Sequence, residues 1–174
     1  MSKWSNDEEY QKLSKEQLIE LLRTYGRIAT ALDGLWFLTL EGVMGTEKTI
    51  NLMERVWAQY GRVKGNILKK FLSIDGAATL EQICKAYLLT PIFSNLGGRA
   101  EIRNGKCYLS ATNCHPQKAR VRKGLGEFPC KGVGKEFFGG FLAALNPDAK
   151  FNCVVCPPDA HSEDLWCEWE VWLK

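Results

Sequence analysis

The apolar residues of this chain follow two different spacings, and the change near residue 95 constrains the fold more than any other feature. In the first half, apolar residues recur every three or four positions, as they do on one face of a helix. In the second half they form short extended runs between turn residues. We therefore expect an α+β fold, with a helical N-terminal half followed by a small antiparallel sheet and a packed helix.

The periodic segments predict the helices of the first half. Ser14 and Gln17 stand at the N-cap and N3 positions of a capping box, so a helix is expected to begin at Ser14. It is predicted to run to about Tyr25 or past Gly26. Three more helical segments are predicted at residues 32–39, at residues 46–72 and from Thr79 to the residue before Pro91.

The second half is predicted to be a hairpin, a helix and two strands. Asn104-Gly105 between two extended runs is the strongest short-range signal for a β-hairpin. A helix is expected at residues 132–145, and strands at residues 150–156 and 165–173. With 174 residues the chain is long enough for one core, so we predict a single domain, 1–174. Its mainly helical part is 1–95, and 96–174 carries the hairpin, the helix, the two strands and a cysteine cluster.

Charge and hydropathy exclude some partner classes. A formal net charge of +3 is too small to indicate nucleic-acid or membrane binding. The N-terminus is acidic where a signal peptide would be basic, and no apolar run approaches the ~20 residues of a membrane helix. We expect a cytoplasmic protein with a small organic ligand, no nucleic acid and no membrane; a homodimer is left open. In that compartment the seven cysteines are expected to be thiols rather than disulfides.

Six of the seven cysteines lie after residue 100, which points to a shared role. Cys84 and Cys107 fall on apolar faces and are expected to pack in the core. The predicted metal ligands are Cys130, Cys153, Cys156 and Cys167, with Cys114 in reserve. Cys153 and Cys156 form a C-x-x-C motif, which can bind one metal if the chain turns between them. Zinc is the favoured metal, and an iron–sulfur cluster is the alternative.

A purely structural interpretation of these cysteines stays open. Cys167 alternates with Trp169 and Val171 on one strand face, as a core thiol would. A zinc ribbon normally has two C-x-x-C motifs, and this chain has one. His161 lies in a polar loop, where an exposed structural histidine is more common than a metal ligand.

Four residues outside the cysteines are predicted to bind a ligand. Asp33 lies on an apolar helix, where an unpaired carboxylate is costly. Arg120 and Arg122 belong to a basic run and could bind an acidic group in a bidentate fork. Trp36, with Phe37 and Phe141, is expected to line a cavity between the helices and the sheet.

The order Cys130, a glycine-punctuated helix from Gly132 to Leu142, Cys156 and then Cys167 resembles the 4-vinyl-reductase type of small-molecule-binding domain. This resemblance covers about a quarter of the chain. It implies helices and a small antiparallel sheet that enclose a cavity, with Cys130, Cys156 and Cys167 as metal ligands.

The whole chain also resembles an uncharacterised prokaryotic family of small cysteine-rich cytosolic proteins. The segments that carry this likeness are Tyr25-Gly26-Arg27, residues 32–37 and residues 116–120. That family is similar to the hydrolases of 2-amino-thiazoline-4-carboxylic acid. Two functions follow: a metal-braced binding or sensing protein, or a metal-dependent hydrolase of a small cyclic amide or amino-acid-like substrate. Whether the chain is an enzyme stays open, and the absence of an H-E-x-x-H motif favours the binding protein.

Overall fold

The computed structural model describes residues 5–174. Within that range the helices are α1 (Asn6–Gln11), α2 (Lys15–Met44), α3 (Thr46–Phe71), α4 (Leu80–Leu88), α5 (Pro91–Asn95), α6 (His115–Arg122) and α7 (Lys131–Leu145). The strands are β1 (Gly98–Arg103), β2 (Lys106–Ala111), β3 (Ala149–Val155) and β4 (Cys167–Leu173). The predicted α+β class, with its helical first half, is confirmed. No helix of the described chain combines the length and apolarity that crossing a membrane requires.

The first long helix, α2, continues through the region where the sequence suggested an end. Its start is as predicted, since Ser14 accepts a hydrogen bond from the Gln17 backbone N–H in a capping box. Gly26 does not end the helix. A side chain there would collide with the Pro91 carbonyl group, so this glycine allows α5 to approach α2 closely.

The helices α3 and α7 cross with their backbones nearly touching, and glycines make this possible. A Cβ on Gly65 would stand 2.8 Å from the Phe141 carbonyl oxygen, and one on Gly140 would stand 3.0 Å from the Arg62 nitrogen. Gly61 likewise lies directly against the Phe137 carbonyl group. This contact fixes α7 on the long helix pair.

The four strands form one antiparallel sheet in the order β1-β2-β4-β3. The predicted hairpin is confirmed: β1 and β2 are joined at Asn104 and Gly105, whose φ angles are 51° and 73°. Positive φ at both positions is what a two-residue hairpin turn of type I′ requires.

Aromatic side chains fill the interior between α7 and the sheet. Phe138 packs on Trp169 of β4, with 4.9 Å between ring centroids, and Phe141 stacks on Phe137 at 5.5 Å. The ring of Tyr87 on α4 stacks on Phe93 at 4.4 Å. These rings contact one another, so the core is packed where α7 meets the sheet.

Two sequence-based expectations need correction. The short helices α1, α5 and α6 were not predicted; α5 begins at Pro91, before which a helix was expected to end, and α6 has a proline in its first turn. Cys84 and Cys107 are buried in the core as expected, but they form a disulfide and are not thiols. The packing of α4 against the hairpin brings these two cysteines together, a long-range contact that their spacing in the sequence does not reveal.

Candidate functional site

Five free cysteines gather around one end of the sheet, where β2 and β3 end and β4 begins. Ala111 at the end of β2 pairs with Cys167 at the start of β4, and Val155 at the end of β3 pairs with Glu168. The five cysteines, which we call the thiol cluster, are Cys114, Cys130, Cys153, Cys156 and Cys167. Cys153 and Cys156 lie where β3 ends, Cys167 begins β4, and Cys114 and Cys130 precede α6 and α7, so the topology itself brings them together.

Two helices, α6 and α7, also begin at this end of the sheet. Cys114 is the N-cap of α6 and Cys130 is the N-cap of α7. The partial positive charge of a helix N-terminus stabilises a thiolate. The Gly134 N–H donates to the Cys130 carbonyl oxygen at 2.8 Å, which places Cys130 at the first turn of α7.

Cys130 and Cys156 form the closest pair in the thiol cluster. Their sulfurs are 3.4 Å apart and share one hydrogen bond. The bond with Cys156 lowers the pKa of the Cys130 thiol, while the bond with Cys130, the neighbouring Cys167 and burial raise the pKa of Cys156. Cys130 is therefore the sulfur that loses its proton first.

Gln117 supports Cys130 from inside the protein. Its side chain is 2% exposed, and its amide makes two 2.7 Å hydrogen bonds with the backbone of Phe128. The same Nε2 group donates to the Cys130 sulfur at 3.5 Å. Gln117 was not predicted as a site residue, because a glutamine in a polar helix usually faces solvent.

An ion pair closes the solvent side of the cluster. Lys131 Nζ lies 2.8 Å from Asp159 Oδ2, and the Cys156 N–H donates to the same carboxylate at 3.3 Å. The Lys131 N–H donates to the Pro157 carbonyl oxygen at 3.0 Å. These contacts hold the loop after Cys156 against the start of α7.

Cys114 and Cys153 lie at the margins of the thiol cluster. Burial raises the pKa of Cys114 to about 12 and that of Cys153 to about 11. The charges of Cys130 and Cys167 act on both thiols. Either could therefore complete a set that contains Cys130, Cys156 and Cys167.

The distances in the thiol cluster can be compared with those of a zinc site. A tetrahedral site with Zn–S bonds of about 2.3 Å has sulfurs about 3.8 Å apart. The 3.4 Å between Cys130 and Cys156 is slightly shorter, as suits two sulfurs joined by a hydrogen bond. Among residues 5–174, no group of three or more histidine, cysteine, aspartate or glutamate side chains has the arrangement to hold a metal ion. Metal binding would thus require the sulfurs to lose protons and turn toward a common point.

His161 lies beside the cluster with both ring nitrogens engaged. Nδ1 lies 2.9 Å from the Ser162 carbonyl oxygen, and Nε2 lies 3.2 Å from Glu127 Oε2. The Ser162 carbonyl and then Glu127 raise the pKa of the imidazole. These contacts are consistent with the structural role that the sequence favoured for His161.

Asp33, the predicted ligand-binding carboxylate, faces α3. The Trp57 side chain favours the charged form of Asp33, while burial and then the Asp33 charge raise the pKa of Tyr60. Burial raises the pKa of the Asp33 carboxyl to about 6. The carboxylate therefore has polar neighbours but no cation to balance its charge among the groups that shift its pKa.

The other predicted ligand-binding residues are paired elsewhere or exposed. Arg120 makes a bidentate ion pair with Glu41, at 2.8 and 3.2 Å, and its guanidinium lies over the Phe37 ring. Arg122 is exposed in the last turn of α6, and Trp36 is 61% exposed on α2. Arg120 thus joins α6 to α2 through Glu41, while Phe141, expected beside Trp36, is buried in the core.

One buried charge-bearing group was missed entirely. Lys64 Nζ on α3 is buried without a hydrogen-bond partner and lies 3.9 Å from the centroid of the Phe93 ring. Burial lowers the pKa of this lysine well below its usual value. The helical pattern did not distinguish Lys64 from Lys69 and Lys70, which follow it on α3 and are less buried.

A family model described as Family of unknown function (DUF6125) matches residues 11–173. The match spans nearly the whole chain, so the chain belongs to this family. No curated protein and no solved structure matches the chain.

Proposed function

We propose that this member of the DUF6125 family binds a thiophilic metal ion, zinc in the first place, in the thiol cluster. Cys130, Cys156 and Cys167 are the core of the ligand set, and Cys153 or Cys114 is the fourth ligand. The observation that carries the proposal is that all five cysteines outside the disulfide gather at one end of the sheet, with Cys130 and Cys156 in contact.

The chemistry of the cluster supports metal binding over simple packing. Most of these cysteines pack against the apolar core, as core thiols would, but Cys130 also contacts the Cys156 sulfur and the Gln117 amide, which simple packing does not require. The lowered pKa of Cys130 favours the thiolate form that a metal requires. The ion pair of Lys131 and Asp159 and the buried amide of Gln117 would form the outer shell that orients the ligands.

The proposed role of the metal is to brace the fold of a small-molecule-binding or sensing protein. A site with four thiolates has no open coordination position, and a closed zinc site is structural. Such a site would tie three strands to the first turns of α6 and α7. With only three thiolates, the open position could hold a water, as in a metal-dependent hydrolase. The number of thiolate ligands therefore decides between the two functions.

Metal analysis of the purified chain tests this proposal. The protein is produced in medium with zinc and iron, and both metals are measured per chain together with the visible spectrum. We expect about one zinc per chain, reduced at least tenfold in Cys130→Ser/Cys156→Ser, because breaking a ligand set removes most of the affinity. The double variant Cys84→Ala/Cys107→Ala, which also removes two cysteines, is expected to keep the metal.

Two results would contradict the proposal. One is a wild-type chain without metal after growth in zinc and iron, and the other is full metal content in a folded Cys130→Ser/Cys156→Ser variant. Circular dichroism establishes that each variant is folded. Iron together with a visible absorption band would show that the same thiolates hold an iron–sulfur cluster and not zinc.

A further inference from the structure

The long helix α2 leaves a large apolar face uncovered. Of its 30 residues only Gly26 and Phe37 are buried. Leu32, Leu35 and Trp36 are 56%, 64% and 61% exposed. Scattered exposed apolar residues are normal on a protein surface, but a continuous patch marks an interaction site.

Most of the exposed apolar residues of α2 lie along one stripe with a heptad spacing, which also includes the half-buried Ala29 and the polar Thr39. We call it the α2 stripe: Leu18, Leu22, Tyr25, Ala29, Leu32, Trp36, Thr39 and Val43. The steps alternate between four and three residues, which is the spacing of a helix seam that packs against another helix. Ile28 and Leu35 flank the stripe and are 55% and 64% exposed.

The charged residues of α2 avoid this stripe. At about 100° per residue, Glu16, Glu20, Arg23 and Arg27 lie on the opposite side of the helix. Glu20 is paired there with Arg27 at 3.0 Å and with Arg23 at 3.7 Å. The stripe thus has no basic rim of the kind that would bind an anionic membrane surface.

A second apolar row lies on α3, next to the side that faces α2. Val56, Val63 and Ile67 are 56%, 55% and 62% exposed. By helical spacing they are next to Tyr60, whose pKa is raised by burial and then by the charge of Asp33 on α2. The row therefore borders the groove between the two long helices.

We propose that a second copy of this chain covers the α2 stripe, with the two α2 helices antiparallel about a two-fold axis. The half-exposed side chains of α2 and α3 add up to roughly 700 Å² of apolar surface, from typical side-chain areas. A standard interface buries about 800 Å² on each partner. The stripe and the α3 row thus supply most of one side of a stable dimer interface.

The order of residues within the stripe fits antiparallel self-pairing. The steps of four and three residues occur in the same order from either end of the stripe. In an antiparallel pair, each stripe residue of one copy therefore lies opposite a stripe residue of the other copy. Pairing about the stripe's midpoint places Leu32 opposite Ala29 of the partner copy and Tyr25 opposite its Trp36. It also places Leu22 opposite Thr39. A large residue therefore faces a smaller one in two of the four kinds of residue pair, Leu32 with Ala29 and Leu22 with Thr39.

Sedimentation velocity on the full chain tests the proposed interface. The wild type is expected to sediment as two copies at micromolar concentration, and Leu32→Glu as one copy with an unchanged circular dichroism spectrum. The matched control is Val121→Glu on α6, which alters an equally accessible valine, 49% exposed, outside the stripe. This control is expected to remain a dimer.

A wild type that sediments as one copy at about a hundred micromolar would overturn the proposal, and so would a Leu32→Glu variant that remains a dimer. A single copy that co-sediments with vesicles would assign the stripe to a lipid surface instead.

Mixing two variants tests the antiparallel register. Ala29→Lys and Leu32→Glu are each expected to sediment as one copy, because each buries charges against the partner's apolar layer. A mixture of the two is expected to regain dimers, since the introduced lysine of one chain meets the introduced glutamate of the other. In that mixed dimer the other contact of this kind is unchanged: Leu32 of the Ala29→Lys chain lies opposite Ala29 of the Leu32→Glu chain. A mixture that stays at one copy, beside a dimeric wild type, would overturn the antiparallel pairing.

Discussion

Asp33 shows how one residue can satisfy the sequence expectation of a partner and still be costly. The sequence predicted that a carboxylate on an apolar helix must be paired or functional, and the Trp57 side chain does favour its charged form. Trp57 does not balance the charge, because burial still raises the pKa of Asp33 to about 6. The native state therefore holds the Asp33 proton more tightly than the unfolded chain does.

We predict that Asp33→Asn stabilises the protein near neutral pH. Because the native pKa is raised, the wild type loses stability as the pH rises from about 4 to above 6, and the neutral asparagine avoids this loss. The expected gain is up to about 3 kcal/mol at pH 7.5 and about 1 kcal/mol at pH 4.5. Urea unfolding at the two pH values measures both. An equal effect at both would show that Asp33 is charged without cost in the folded protein.

At the scale of elements, glycine has two different uses in the long helices. At Gly61 an added Cβ would stand 3.0 Å from the Phe141 nitrogen and would collide with the Phe137 carbonyl group. At Gly34 on α2 it would meet nothing within 4 Å. The first glycine is required by the crossing of α3 and α7, whereas the second only lowers helix propensity.

Alanine substitutions at these two sites should act in opposite directions. Gly61→Ala is expected to lower the free energy of unfolding by about 1–3 kcal/mol, because α7 must move away. Gly34→Ala is expected to raise it by about 0.5–1 kcal/mol, since alanine favours the helix. Chemical denaturation of both variants measures the two effects. Stabilisation by Gly61→Ala would contradict the close crossing.

The sequence predicted the regular elements well where local signals were strong. The capping box at Ser14 and the Asn104-Gly105 turn lie where local chemistry placed them. The full extent of α2 was left open because Gly26 looks like a break in the sequence, whereas the structure continues the helix through Gly26, which allows α5 to approach. Glycine is needed at position 26 because of its contact with Pro91, and a local sequence pattern does not reveal such a long-range contact.

At the scale of the whole molecule, the topology explains how far the candidate site could be predicted. Cys153, Cys156 and Cys167 could be expected together because they flank a turn between neighbouring strands. Gln117 and the disulfide between Cys84 and Cys107 could not, because they depend on how helices pack on the sheet. Lys64 was missed for the same reason, since its burial comes from the rings of α5 and α7.

The central claim is that the thiol cluster is a metal site, and titration of the reduced, metal-free chain with Co²⁺ tests it most directly. Tetrahedral thiolate coordination gives Co²⁺ intense visible and near-ultraviolet bands, which hydrated Co²⁺ lacks. We predict these bands with saturation at one Co²⁺ per chain, loss in Cys130→Ser/Cys156→Ser and retention in Cys84→Ala/Cys107→Ala. Weaker Co²⁺ bands in Cys153→Ser or in Cys114→Ser would identify the fourth ligand. Unchanged bands in both variants would indicate three thiolate ligands. A wild-type chain that leaves the spectrum of hydrated Co²⁺ unchanged would contradict the account.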